Sequence, residues 1–142
     1  MSVTFLIERH PSGHVVAERR WFDLDAMEWR IIPPRRDLEN HSEDFDFGYE
    51  GSSPAQLALA LLADALDDDA RALLHHQGFK HAVVARWAAP PAPCKIEITR
   101  LGIVRVVEKI ERYGWRKVTQ QFSRDRDYAD NFIGLSAFRT RK

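Results

Sequence analysis

Six histidines and a dense run of carboxylates are the residues of this 142-residue chain with most to offer chemistry. A zinc centre needs imidazole, thiolate or carboxylate ligands at spacings that a helix or turn brings together, such as a histidine pair four positions apart on one helix. His10 and His14 straddle a turn, and His75, His76 and His81 have separations of five and six that do not share a helix face. The spacing predicts no metal site. Asp64, Asp67, Asp68 and Asp69 carry the oxygens that magnesium takes, but a helix start, which favours negative charge, accounts for the same residues. Gly48-Tyr-Glu-Gly-Ser-Ser-Pro54 runs into a helix N-terminus, where free N–H groups bind phosphate. It lacks the lysine and spacing of a P-loop, and Glu50 repels an anion, so a tight turn feeding a cap is the stronger reading. No Gly-x-Ser-x-Gly elbow occurs, and nothing pairs Cys94 with a particular histidine. No catalytic residue, cofactor or metal ligand is therefore predicted, and no enzyme. An active site assembled in space would need converging histidines and carboxylates, with His41 and His76 the first to inspect.

Charge offers more. The chain carries 21 basic and 21 acidic residues, but residues 37–70 hold ten carboxylates and no cation, while residues 95–142 hold 12 cations and six carboxylates. The two segments either neutralise each other or present separate surfaces to partners, a second copy of the chain included. Asp44, Asp46, Glu50, Asp67 and Asp68, with the alternating rings Phe45, Phe47 and Tyr49, form the candidate partner-binding set. Packing of those rings against the following helix is the stronger reading for them. Arg105, Lys109, Arg112 and Arg116 recur on one face at helical spacing and form the candidate nucleic-acid-binding stripe, partly neutralised by Glu108 and Glu111.

The elements that must position these residues are legible from periodicity. Val3, Phe5 and Ile7 alternate as a strand, the His10-Pro-Ser-Gly13 turn leads to a second strand over Val15 to Phe22, and Met27, Trp29 and Ile31 alternate as a third before Pro33-Pro34. Ser53-Pro54-Ala55-Gln56 reads as a helix start, with Ser53 as the cap and Gln56 completing a capping box. Leu57, Leu61 and Leu62 make that helix a core element to about Leu66. Asp67 to Asp69 cap a second helix, whose buried side is Leu73, Leu74, Val83, Val84 and Trp87 and which Pro90, Pro91 and Pro93 end. Lys95 to Thr99 reads as a short strand. A helix from about Arg100 buries Ile103, Val106, Val107 and Ile110 until Gly114 interrupts it, and Tyr128, Phe132 and Leu135 mark a last helical piece before the basic end.

The expected architecture is one α+β domain over residues 1–142: an antiparallel β-meander (1–34), a helical pair (53–89) and a basic helical part (95–142), with three or four helices packed on the meander. Composition is that of a globular chain, 44% hydrophobic and 11% aromatic. The longest apolar run, Leu57 to Ala63, is too short to span a bilayer, so no membrane partner is expected. A lone cysteine fits a reducing, cytoplasmic setting.

The segments Pro33-Pro-Arg-Arg-Asp-Leu-Glu-Asn-His-Ser42, Phe45-Asp-Phe-Gly-Tyr-Glu-Gly-Ser-Ser-Pro-Ala-Gln-Leu-Ala58 and Phe79-Lys-His-Ala-Val-Val-Ala-Arg86 resemble a family of small uncharacterised proteins, classed as a domain of unknown function. They occur in bacterial and archaeal genomes and on phages, plasmids and integrative elements. The likeness spans about residues 1–110. Phe47 stands where the family tends to have Trp, and Glu50 and Ser53 where it tends to have Gly. The basic segment after about residue 110 looks like an addition. The resemblance implies a non-enzymatic binding protein of a mobile element that contacts host protein machinery, for example an anti-CRISPR or other anti-defence inhibitor whose carboxylates imitate nucleic acid. The alternative is a nucleic-acid-binding accessory protein that uses the basic C-terminal helix.

Overall fold

The alternation of Val3, Phe5 and Ile7 with Thr4, Leu6 and Glu8 builds the strand at the centre of the sheet. In the computed structural model, which describes residues 2–87 and 94–139, this strand, β1 (Val3–Arg9), pairs antiparallel with β2 (Val15–Asp23), and β2 with β3 (Ala26–Ile31). The β1–β2 turn is closed by His10 and Gly13 backbone hydrogen bonds of 2.8 Å, with Gly13 at φ +92°, where a side chain would strain. The predicted meander is therefore present, but it is only part of the sheet. β4 (Cys94–Thr99) pairs with the other edge of β1, and β5 (Ser136–Arg139) with β4, giving the order β3-β2-β1-β4-β5.

Register separates the two faces. Phe5, Ile7, Val15, Ala17, Ile96 and Ile98 are buried on the face covered by helices. The opposite face carries Phe22 beside Met27, Trp29 beside Arg20, and Ile31 beside Glu18. Among the described residues five α-helices pack together on the side of the inner face: α1 (Ser52–Leu66), α2 (Asp69–Ala82), α3 (Arg100–Tyr113), α4 (Trp115–Arg124) and α5 (Arg126–Ile133). α1 is buried along nearly its whole length, as its leucines and alanines predict. On α3, Ile103, Val106, Val107 and Ile110 form the buried face read from the sequence.

Several expectations are corrected. Gly51, not Ser53, stands at the N-cap of α1, with no side-chain cap; the Ser53 hydroxyl instead lies 2.9 Å from that of Ser42. Gln56 does not fold back into a capping box, because it is fully buried and bonded to another loop. Of the three aspartates after α1, Asp68 alone caps α2, accepting from the Arg71 N–H. Leu74 is 75% exposed, because α2 turns Ala72, His76 and Phe79 inward instead. α2 ends at Ala82, and Val84 lies in a short 3-10 turn (Val84–Arg86). Pro90, Pro91 and Pro93 lie outside the described residues. The strand read over Lys95–Thr99 is present as β4, but the last piece of the chain is not wholly helical: after α5 a left-handed Gly134 turns the chain so that Leu135 leaves the helix and β5 follows.

α2 and α3 are tied by Arg71, whose Nε and Nη2 donate to Glu111 at 2.9 and 2.6 Å, with His75 3.1 Å from the same carboxylate. The Arg71 hydrogen bonds hold Glu111 below its ordinary value. A carboxyl with a depressed folded pKa stabilises above its unfolded value and loses that contribution as pH falls through the folded one. The expected result is an acid limb below about pH 4.5 in the pH dependence of thermal stability. Glu111→Gln should be less stable at neutral pH but show a shallower limb; an identical limb in the variant would dissociate it from this pair.

Candidate functional site

The acidic middle of the chain folds onto the arginines of the first 36 residues rather than onto the basic C-terminal third. Asp46 pairs with Arg9, and Asp64, with a side chain only 6% exposed, accepts from Arg19 at 2.6 Å and Arg30 at 2.7 Å. Asp37 and Asp69 both grip Arg35, and Glu43 lies 3.7 Å from Arg36. Glu50 reaches Lys80 at 3.4 Å and His81 at 2.7 Å; burial pushes its carboxyl up, but the contacts with these two side chains hold it net below its ordinary value. Asp68 is engaged as the α2 cap, so among the described residues Asp44 and Asp67 are the members of the candidate partner-binding set whose carboxylates have no side-chain or cap partner. Phe47 is fully buried, edge-on to Trp87 and under the Arg9 guanidinium, and Phe45 is 9% exposed. Both rings are core, so they form no exposed platform, because the loop they anchor must close over α1. Tyr49, 47% exposed, donates to Asp46 at 3.2 Å.

The basic segment is left with its charge. Across α3 and α4, Arg100, Arg105, Lys109, Arg112, Arg116, Lys117 and Arg124 have no carboxylate within 4.0 Å among the described residues. The predicted stripe is not one helix face: Gly114, at φ +87°, ends α3, so Arg116 belongs to α4 and lies over the Trp115 ring, 4.7 Å from its centre. Lys109 is half-buried, its ammonium 5.4 Å from the Tyr113 ring centre, 5.9 Å from Tyr128 and 5.3 Å from Phe132. Arg105 and Arg112 are exposed. The bend creates what a straight helix would lack. α4 buries Val118 and Phe122 and turns Lys117, Gln120, Gln121 and Arg124 outward, at offsets of three, four and seven. With Lys109, Tyr113 and Tyr128 they line a groove of about 740 Å³ between α3, α4 and α5, to which Asp125, the α5 cap, also belongs.

A second cluster forms where the loop between β3 and α1 meets α2. Gln56 of α1 uses all its hydrogen-bonding capacity on that loop: its carbonyl accepts from the His41 and Ser42 N–H groups (2.7 and 3.2 Å), and its amide donates to the Pro34 and Glu39 carbonyls (2.6 and 3.1 Å). The loop so fixed puts His41 Nε2 2.9 Å from His76 Nε2, with Glu39 Oε1 3.4 Å from His41 and Oε2 3.8 Å from His76. His76 Nδ1 lies 2.8 Å from the Leu73 carbonyl. A carbonyl only accepts, so Nδ1 carries the proton and a neutral His76 has a bare Nε2. Burial pushes the His76 imidazole down, favouring that neutral form. Sequence spacing missed this convergence because Glu39 and His41 sit in a loop 35 residues before His76. The signal available was the position of His41 inside the Asn-His-Ser segment.

Two further features mark the surface. A cleft of about 890 Å³ is lined by Arg19, Arg30, Arg100, Trp21 and Asp64, but Asp64 already neutralises two of its arginines. On the open sheet face, Phe22, Met27, Trp29 and Ile31 are 48 to 64% exposed. No helix among the described residues is long and apolar enough to cross a membrane.

Residues 12–109 match DUF6166, described as a family of unknown function. No curated protein and no solved structure matches the chain. The matched stretch contains Gln56, the His41–His76 pair and Glu39, and ends within α3, before Lys117 and Arg124.

Proposed function

From its membership of DUF6166, a family whose function is unknown, we infer that the chain's role is to be read from its own surfaces, and we propose that it binds nucleic acid through the α3–α4–α5 groove. The observation that carries this reading is the separation of charge. The acidic segment is largely paired internally, while Lys109, Lys117 and Arg124 converge without a carboxylate partner around Tyr113 and Tyr128. Phosphates are attracted by such unpaired cations, exposed rings stack on unpaired bases, and glutamine amides reach base edges and sugars. A single strand suits the groove best, because Tyr113 offers half of its surface to a ring.

The test is equilibrium binding of a fluorescent single-stranded oligonucleotide across a salt series. The expected log K against log salt slope loses about 2 when Lys109, Lys117 and Arg124 become alanine, at roughly 0.7 per phosphate contact removed. Arg20→Ala with Lys95→Ala, on the opposite sheet face, should leave the slope unchanged. Absence of binding at about 50 mM salt, or an unchanged slope in the triple variant, would refute the reading.

A second reading, favoured by the open sheet face, is the protein-binding one: an inhibitor carried by a mobile element and acting on host machinery, an anti-CRISPR among the possibilities. Four large apolar side chains exposed side by side are a common mark of a protein contact. Trp29 and Met27 would anchor that contact, rather than the acidic loop, most of whose carboxylates are engaged. Neutralising Asp44, Asp46, Glu50, Asp67 and Asp68 should then affect partner capture less than Trp29→Ser with Met27→Ser. The reverse order would restore nucleic-acid mimicry by the acidic loop.

A further inference from the structure

Glu39, His41 and His76 each present one ligand atom within 4.8 Å of the others, and we propose that together they form a zinc site with a fourth position open to water. Zinc bonded at 2.0–2.1 Å in a tetrahedron sets its ligand atoms ~3.3 Å apart. The imidazole nitrogens are 2.9 Å apart, with Glu39 Oε1 3.4 Å from His41 and Oε2 3.8 Å from His76, so the imidazoles part slightly and the half-exposed Glu39 carboxylate turns one oxygen toward both nitrogens to close the set. Between the two imidazoles, zinc replaces the hydrogen bond that His41 Nε2 donates to His76 Nε2, and the His41 proton moves to Nδ1, where a neutral imidazole can equally hold it.

The surroundings are those of a prepared ligand set. The Leu73 carbonyl accepts the His76 Nδ1 proton and so fixes both ring orientation and tautomer, the outer-shell arrangement usual for a metal-bound histidine. Gln56 holds the backbone at both Glu39 and His41, so the main chain that carries two of the three ligands is fixed before any ion arrives. His76 is 3% exposed, His41 18% and Glu39 47%, which grades the site from a buried floor to an open mouth. Three protein ligands with one side toward solvent leave a position for water, as open zinc sites do. Two imidazoles beside a single carboxylate disfavour calcium and magnesium, which take all-oxygen sets.

The experiment titrates the full-length, chelator-treated protein with zinc chloride in a calorimeter, with a parallel cobalt(II) titration read by its visible absorption. The expected result is one ion per chain, an intense cobalt spectrum of tetrahedral type and a raised Tm. Glu39→Gln and His41→Gln should each weaken binding by more than the roughly 10–100-fold that loss of an outer-shell partner costs. Glu39 is exposed enough that its variant will fold, and a matching Tm without metal confirms that. His10→Ala with His14→Ala should leave the affinity unchanged, as should the triple groove variant, which separates this site from the nucleic-acid reading. No saturable binding, or equal binding by Glu39→Gln and His41→Gln, would show that the pair is only a hydrogen bond between histidines. Tighter binding of ferrous ion than of zinc at the same residues would overturn the assignment to zinc.

Discussion

Gly102→Ala should destabilise the protein by about 3 kcal/mol, lowering Tm by roughly 10 °C. A β-carbon at residue 102 would lie 2.1 Å from the Ile133 carbonyl oxygen, 2.4 Å from its carbonyl carbon and 2.7 Å from its α-carbon. These are backbone atoms, so no rotamer change relieves the contact, and α5 must move bodily away from α3. Thr99 makes the approach tighter still: its hydroxyl caps α3 by accepting from the Gly102 N–H at 2.9 Å and donates toward the Ile133 carbonyl at 3.4 Å. The sign is diagnostic. In a helix free of neighbours alanine is favoured over glycine by about 1 kcal/mol, so thermal unfolding that showed Gly102→Ala at or above the parent Tm would place α5 elsewhere.

Gln56→Leu should be as damaging, at about 4 kcal/mol, with little change in the volume of the core. The substitution leaves two N–H groups and two carbonyls of the 34–42 loop without the partners they have in the parent. Each such group costs about 1–3 kcal/mol if it stays buried, and less if the loop loosens to meet water. Loosening has its own readout: tryptic cleavage beside Arg35 and Arg36 should accelerate well beyond what the fall in global stability explains. A Gln56→Leu protein with parent Tm and parent cleavage rate would show that the clamp contributes nothing. The same variant should also bind zinc more weakly, because Glu39 and His41 lose their common anchor.

These two positions show where the sequence is legible and where it is not. Period-two alternation from Val3 to Ile31 read out three strands, and the period of Ile103, Val106, Val107 and Ile110 read out the buried face of α3, because both patterns are imposed by local geometry. β5 was invisible: Ser136–Arg139 is four residues long, follows a helix directly and is fixed by pairing with β4 some 40 positions earlier. Gln56 carried an ambiguous signal, since a glutamine three residues after a serine is what a capping box needs. Burial decided otherwise, and burial is a tertiary property. The acidic set suffered the same way. Net charge along the chain predicted a neutralising partner but not which one, and it is strand arginines that hold Asp46 and Asp64 and Arg35 of the loop after β3 that holds Asp69, not the C-terminal cations. Of the candidate metal site, His41 and His76 were visible as residues, but the contact between them was not, because it depends on how the 34–42 loop is laid against α2.

The place of β1 in the sheet has a consequence for how the chain matures. Its first neighbour, β2, follows after the short connection of residues 10–14, but its second, β4, pairs Thr4 with Thr99 and Arg9 with Cys94, separations of 95 and 85 residues. A hairpin alone is marginal in water, so during synthesis the leading strands wait with one edge bare until β4 has left the ribosome. The helical pair α1–α2, whose contacts are local, is the part able to consolidate first. Closing so long a loop sets the pace of the final step. The interval in which β1 lies uncovered is then the time in which this protein is most exposed to strand-to-strand association with another copy of itself, a hazard that ends when residue 99 pairs.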